Sequence, residues 1–189
     1  MPHIRASSRG ARSLPNRPGH SFLPIITMNK ADLLAILTKH FPDMPAAALA
    51  IQSLAALSNE EFSYHLPAFM VAALQAPVSA TSAAVVLALK LPIELHAATV
   101  IASIRRHEAA SPEMGPEALL RSQLTQTNAA IHQFIARATL FSQMQAATIY
   151  HFLAYLRDKH GSAFPNHEPA RAIERYWFQF AESSFGVSG

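Results

Sequence analysis

The chain contains no cysteine among its 189 residues. Disulfides, thiolate nucleophiles and cysteine-based metal or iron–sulfur sites are therefore excluded. A cysteine-free composition fits a reducing compartment, and we expect a cytoplasmic protein. Glycine is also scarce, because only Gly115 and Gly161 lie between Met28 and the last few residues. The sequence thus offers no glycine-rich loop to cradle a phosphate, and we predict no nucleotide or other cofactor.

Acidic residues are absent from the first 27 positions, which explains the high isoelectric point of about 9.5. This segment carries four arginines, and without them 11 basic residues face 12 acidic ones. The remainder of the chain is therefore close to neutral. It lacks the stripe of basic residues that follows a phosphate backbone. We predict no nucleic-acid partner.

Residues 1–27 are rich in arginine, serine and proline and show no helical period. Three interpretations remain open: a targeting peptide, a basic arm, or a disordered extension with the true start at Met28. We favour the third, because nothing in the segment can build a core. The predicted organisation is a disordered extension over 1–27, a helical domain over 28–182 and a flexible tail over 183–189.

Long apolar runs are also missing. The longest uncharged stretch lies between Glu61 and Lys90, and Pro67 and Pro77 interrupt it. A membrane-spanning helix needs about 20 continuous apolar residues. We therefore predict no transmembrane segment.

What the sequence does contain is a series of helix signals. Two serine capping boxes, Ser58 with Glu61 and Ser142 with Gln145, mark two helix starts. Alanine is abundant and β-branched runs are few, which favours helices. We predict an all-α fold, a single compact domain of about seven helices, several of them bounded by proline. The clearest apolar stripe follows the second capping box and consists of Ile149, Phe152, Leu153 and Leu156.

Other boundaries are set by weaker signals. Asn29 is predicted to cap the first helix, and a second helix is expected from Pro45 through Leu57. Pro67 removes a backbone donor from a helix interior, so we predict that one helix ends there and another begins. The helix marked by Leu119, Leu120 and Leu124 is expected to stop and to restart at Thr127 or Asn128. Further helices are predicted from four apolar patterns: the run after Pro77, the stretch after Pro92, the leucines 119, 120 and 124, and the last aromatic group from Pro169 onward.

Histidine is the obvious candidate for chemistry, since the chain has ten. Glu61 and His65 are four residues apart and share a helix face with Tyr64, and a second Tyr–His pair ends at His151. Two ligands do not make a metal site, and no HExxH or comparable pair supplies the rest. Trp177 belongs to an aromatic group spaced as one helix face, for which core packing is the stronger interpretation. We keep Glu61, Tyr64, His65, His151 and Trp177 as the candidate functional cluster, with no catalytic or metal assignment.

Motifs for covalent catalysis are missing. The chain has no GxSxG nucleophile elbow and no residue pattern of a Ser–His–acid triad. Its carboxylates after Met28 are scattered and do not form a cluster for general acid–base work. The sequence therefore favours a protein that is not an enzyme.

Three blocks of the sequence stand out together. The first is LSNEEFSYHLPAFMVAAL from Leu57 to Leu74, the second begins FSQMQ at Phe141, and the third is the predicted helix that carries Tyr176 and Trp177. Together these blocks resemble a family of uncharacterised bacterial helical proteins. The resemblance implies the helical fold and its boundaries and brings no activity with it. The family more usually has tyrosine at the position of His65, which argues against a catalytic role for this histidine.

The hypothesis we favour is a non-catalytic protein-interaction module of the adaptor or toxin-immunity type, whose partner is another protein. The alternative is a metal- or small-molecule-dependent enzyme that uses the Tyr/His/Glu cluster. A third hypothesis, a membrane-surface protein anchored by its basic N-terminal segment, requires that segment to be functional. The sequence does not define the oligomeric state.

Overall fold

Each of the two capping boxes starts a helix, as the sequence predicts. A computed structural model of the chain describes residues 28–46, 54–93, 105 and 116–182. Over this part the protein is helical and contains no strand. The α-helices are α1 (Lys30–His40), α2 (Asn59–Gln75), α3 (Ala80–Ala88), α4 (Pro116–Ala138), α5 (Gln143–His160) and α6 (Glu168–Arg175), with 3₁₀ turns at Leu54–Ala56, Gly161–Ala163 and Trp177–Phe180.

Helix starts are fixed by short-range hydrogen bonds. The side chain of Asn29 accepts a bond of 2.9 Å from the backbone N–H of Asp32. The serine of each capping box accepts from the third helical residue, and the side chain of that residue accepts from the serine N–H. These bonds satisfy backbone donors that would otherwise lack a partner in the first turn. The sequence-based starts of α1, α2 and α5 are therefore confirmed.

The core forms where α5 crosses the other helices. Its predicted stripe, Ile149, Phe152, Leu153 and Leu156, is completely buried. Helix α5 packs against α1, α6 and the turn Trp177–Phe180, while α2 packs against α3 and α4. The buried side chains make one cluster, so these six helices form a single all-α domain, as predicted.

Four predictions fall partly or wholly outside the described residues. They are the disordered extension over 1–27, the second helix before Leu54, the helix after Pro92, and the tail over 183–189. Of the second helix, only residues 54–57 are described beyond Ala46. Residues 54–56 form a 3₁₀ turn with Leu54 buried and Leu57 lies outside any helix, so the α-helix predicted through Leu57 is wrong at this end.

Two predicted helix boundaries are absent from the structure. Helix α2 runs through Pro67 without a break, and α4 runs for 23 residues through Thr127 and Asn128. The predicted corner at Pro67 and the predicted restart are therefore wrong. Burial explains the first error, because the α2 residues on both sides of Pro67 lie in one core and hold the chain helical against the local cost of proline. Six apolar residues of α2 on the two sides of Pro67 are buried in that core: Phe62, Leu66, Phe69, Met70, Ala73 and Leu74.

Replacing Pro67 by alanine should stabilise the protein. Proline costs about 3 kcal/mol in a helix interior, because it lacks an N–H and its ring crowds the preceding turn. The backbone N–H of alanine restores a donor for the carbonyl oxygen of Ser63. Greater freedom of the unfolded chain offsets about 0.4–1 kcal/mol of this gain. Because Pro67 is also buried and its ring packing is lost, we expect a net gain of about 1–2 kcal/mol in chemical denaturation. A less stable variant would show that the Pro67 ring is needed for packing.

Candidate functional site

Glu61 is a capping residue in the structure. Its carboxylate accepts a hydrogen bond of 2.9 Å from the backbone N–H of Ser58, and the Ser58 hydroxyl accepts from the N–H of Glu61. The backbone and side-chain bonds from Ser58 lower the pKa of Glu61 below its ordinary value. The carboxylate is thus stabilised in its charged form at the N-terminus of α2, where negative charge is favoured.

Tyr64 and His65 lie on the same part of α2. Their rings contact edge to face, with centroids 4.9 Å apart. Half of the Tyr64 surface is exposed. The Nδ1 atom of His65 is buried and has no hydrogen-bond partner. This pair brings one open aromatic ring and one unpaired imidazole nitrogen to the side of α2.

The other two candidates belong to different surroundings. His151 is half-buried on α5 beside Tyr150, with ring centroids 5.2 Å apart, and burial lowers the pKa of His151 below its ordinary value. Trp177 is 1% exposed and its indole N–H donates to the carbonyl of Leu89 at 2.7 Å. Trp177 is therefore a core residue, in agreement with the core-packing interpretation of its spacing.

Metal ligands do not converge in the described part of the chain. No group of three or more histidine, aspartate or glutamate side chains comes together there in a way that could hold a metal ion. In the same residues, no helix is both long enough and apolar enough to cross a membrane.

A small open cleft lies beside Tyr64. It has a volume of about 220 Å³ and is bounded by the loop after α1, by α2, and by the corner between α4 and α5. Tyr64, Pro67 and Ser63 contribute the α2 side, and Phe41 and Phe141 contribute aromatic rings. Sequence reasoning singled out Tyr64 and Pro67 but not the cleft, because the loop after α1 and the corner after α4 are about 100 residues apart in the chain.

An exposed apolar stripe on α4 is the second feature that sequence reasoning missed. Apolar or small residues recur at alternating steps of four and three along the helix, which is the spacing of a helix–helix seam. The seam is buried at its C-terminal end and open at its N-terminal end. Its members are Leu120 (42% exposed), Leu124 (41%), half-buried Thr127 and Ile131, Phe134 (7%) and Ala138 (5%). The predicted restart at Thr127 hid this spacing, because it divided one stripe between two helices.

Few charged groups accompany this stripe. Glu117 and Arg121, at its N-terminal end, form an exposed ion pair at 2.7 Å. The flanking Gln123 and Asn128 are uncharged.

Comparisons with protein-family models, curated protein sequences and solved structures find no match for this chain.

Proposed function

We propose that this chain is a non-catalytic protein-interaction module that binds an amphipathic helix of another protein along the open stripe of α4. We call the stripe formed by Leu120, Leu124, Thr127 and Ile131 the α4 stripe. The observation that carries the proposal is its continuity with the buried seam. The same alternation that packs Phe134 and Ala138 into the core continues onto the surface, where Leu120 and Leu124 are 42% and 41% exposed.

A helix is the partner element that fits this spacing. Side chains at alternating steps of three and four residues leave holes that accept the knobs of a second helix. The near-neutral flanks select a partner by apolar fit, since Glu117 and Arg121 already neutralise each other. A strongly charged peptide would gain little here, because exposed charge pairs contribute only about 0–1 kcal/mol.

The apolar surface left on the two leucines limits how much affinity the α4 stripe can supply. Burying a whole leucine side chain stabilises by about 1.5–3 kcal/mol. Leu120 and Leu124 are about two-fifths exposed, so each has roughly 1 kcal/mol left to gain. Association costs at least about 4 kcal/mol in lost rigid-body freedom. The two leucines therefore anchor the helix, and contacts beyond them must supply most of the affinity.

A photo-crosslinking residue at position 124 identifies the partner, with position 129 as its control. Ala129 is exposed on the opposite face of α4. We expect a crosslinked protein at 124 and not at 129. The purified pair should then lose affinity at least about tenfold when Leu120 and Leu124 are both changed to glutamate. A matched variant with glutamate at Ser122 and Ala129 should bind normally.

Three results would contradict the proposal. Equal crosslinking at 124 and 129 would remove the stripe as a docking surface. A dimer that dissociates in the double-glutamate variant would show that the stripe pairs with a second copy of this chain. A large loss of thermal stability in that variant, compared with the Ser122/Ala129 control, would show that the chain covers the stripe itself.

The cytoplasmic location, the bacterial origin and the resemblance to a helical family stay predictions. The adaptor and toxin-immunity types differ in the partner, which the crosslinking experiment identifies. The enzyme alternative rests on Glu61, Tyr64, His65 and His151. Burial of Tyr150, the neighbour of His151, favours the interaction module over that alternative.

A further inference from the structure

The cleft beside Tyr64 has an aromatic side. The rings of Phe41 and Phe141 meet edge to face with centroids 6.2 Å apart, and Phe141 also contacts Phe62 in the core. Phe41 is buried and Phe141 is half-buried, so their positions are fixed by the domain. Tyr64 stands at the open edge with half of its surface exposed. An entering group would therefore meet preformed apolar surface and one accessible aromatic ring.

The polar groups of the cleft divide into used and unused ones. Gln145 donates to the carbonyl of His40 at 3.1 Å and accepts from the N–H of Ser142 at 2.9 Å. The hydroxyl of Ser63 donates to the carbonyl of Glu60 at 2.9 Å. These groups are occupied by the fold itself and contribute little to recognition of a ligand.

The unused groups are mainly acceptors. Asp43 lines the cleft, and within the part of the chain that the structure describes its carboxylate makes no hydrogen bond or ion pair. The carbonyl of Ser63 lacks the ordinary bond from four residues later, because that residue is Pro67. The hydroxyl of Tyr64 can donate or accept. None of the described residues that line the cleft is a lysine, an arginine or a histidine. The cleft is thus acidic and rich in acceptors.

We propose that this cleft binds an ammonium or guanidinium group on a short alkyl stem, either a free organic amine or a lysine or arginine side chain of a partner protein. The cation pairs with the carboxylate of Asp43 and donates to the carbonyl of Ser63. The ring of Tyr64 adds attraction between the cation and its π face. The alkyl stem lies against Phe41 and Phe141. A carboxylate, a carbonyl dipole and an aromatic ring all favour positive charge, whereas an anion or a neutral alcohol gains from only part of this set.

The probes are butylammonium and butylguanidinium, titrated into the ¹⁵N-labelled full chain and followed by amide chemical shifts. Butanol and butyrate are the neutral and anionic controls. We expect saturable shifts at Asp43, Ser63 and Tyr64, with dissociation constants on the order of millimolar for so small a ligand. Asp43→Asn should weaken binding about tenfold, whereas Glu174→Gln, at an exposed position on α6, should not. Equal shifts with butanol, or unchanged affinity in Asp43→Asn, would overturn the proposal.

Pro67→Ala gives a second test that separates recognition from folding. Alanine supplies an N–H to the carbonyl of Ser63, so the variant should bind the cations less tightly while it is more stable than the wild type. A Pro67→Ala variant with full affinity would remove the Ser63 carbonyl from the proposal.

Peptides distinguish the two sources of the cation. Acetyl-Gly-Lys-Gly-amide is compared with butylammonium and with the same peptide carrying norleucine. Tighter binding of the lysine peptide supports a partner side chain, and exclusion of the peptide with retained amine binding supports a free amine. Asp43 and Pro67, the two substituted positions, lie outside the α4 stripe. If the cleft does not bind cations, the α4 proposal is therefore unaffected.

Discussion

Replacing Arg137 by methionine is expected to lower the free energy of unfolding by about 2–4 kcal/mol. Arg137 is 7% exposed, close to the C-terminal end of α4. Its guanidinium donates to the carbonyl of Ala55 at 3.2 Å, to the carbonyl of Leu57, and to the Asn59 side chain at 3.3 Å. Methionine fills similar space but donates nothing, so these acceptors lose the hydrogen bonds from the guanidinium.

The position of the guanidinium adds to this effect. Its carbon lies 4.6 Å from the centre of the Phe62 ring, within the range of a cation–π interaction. Burial lowers the pKa of Arg137, yet an arginine remains charged in proteins. One buried cation therefore ties α4 to the chain segment that leads into α2. No local sequence pattern signals this link.

Urea denaturation with matched variants tests the role of Arg137. Arg137→Lys keeps the charge but offers a compact ammonium in place of the planar fork, so we expect it to lose most of the same stability. Arg121→Met removes an exposed, ion-paired arginine from the same helix and should cost no more than about 0.5 kcal/mol. If Arg137→Met cost no more than Arg121→Met, the hydrogen bonds to the segment before α2 would be dispensable.

Replacing Trp177 by alanine should destabilise the protein by about 3–5 kcal/mol. Trp177 is among the largest fully buried side chains. The centroid of its ring lies 5.9–6.5 Å from the ring centroids of Phe134, Phe141 and Phe180. The ring centroid of Tyr176 lies 5.1 Å away. Alanine leaves a cavity where α4, α5 and the last turn meet, and the surrounding rings cannot fill it without moving.

Trp177→Phe separates the hydrogen bond from the packing. Phenylalanine keeps an aromatic ring but leaves the carbonyl of Leu89 without the indole N–H, at a cost of about 1–3 kcal/mol. Phe178→Ala is the neighbouring control, because Phe178 is 60% exposed and should change stability by less than about 0.5 kcal/mol. Thermal and urea unfolding measure all three variants. A Trp177→Ala protein as stable as the wild type would show that the buried Trp177 ring is dispensable for the core.

Local sequence patterns predicted the parts of the fold that depend on neighbours within one turn. Both capping boxes and the Asn29 cap form as predicted, because each bond joins residues three apart. The buried stripe of α5 was equally accessible, since its apolar spacing survives any arrangement of the other helices. The all-α class follows from the same local signals.

Only the tertiary structure decided where helices continue or break. Packing keeps α2 helical through Pro67, although the local rule for proline predicts a boundary. Conversely, the aromatic group predicted as one helix face is divided at Tyr176 into α6 and a 3₁₀ turn. In that form Trp177 still reaches the core and Leu89, which lies 88 residues away in the chain.

Local patterns in the sequence are sufficient for the helical class, the capped helix starts and the residues of the α5 core stripe. The burial of Arg137, the cleft beside Tyr64 and the open end of the α4 stripe follow only from the packing of distant segments. The two groups of features differ in the range of the interactions that define them. Caps and apolar periodicity act within a few residues, whereas a cleft or an exposed stripe is defined by which distant segments pack beside it and which do not.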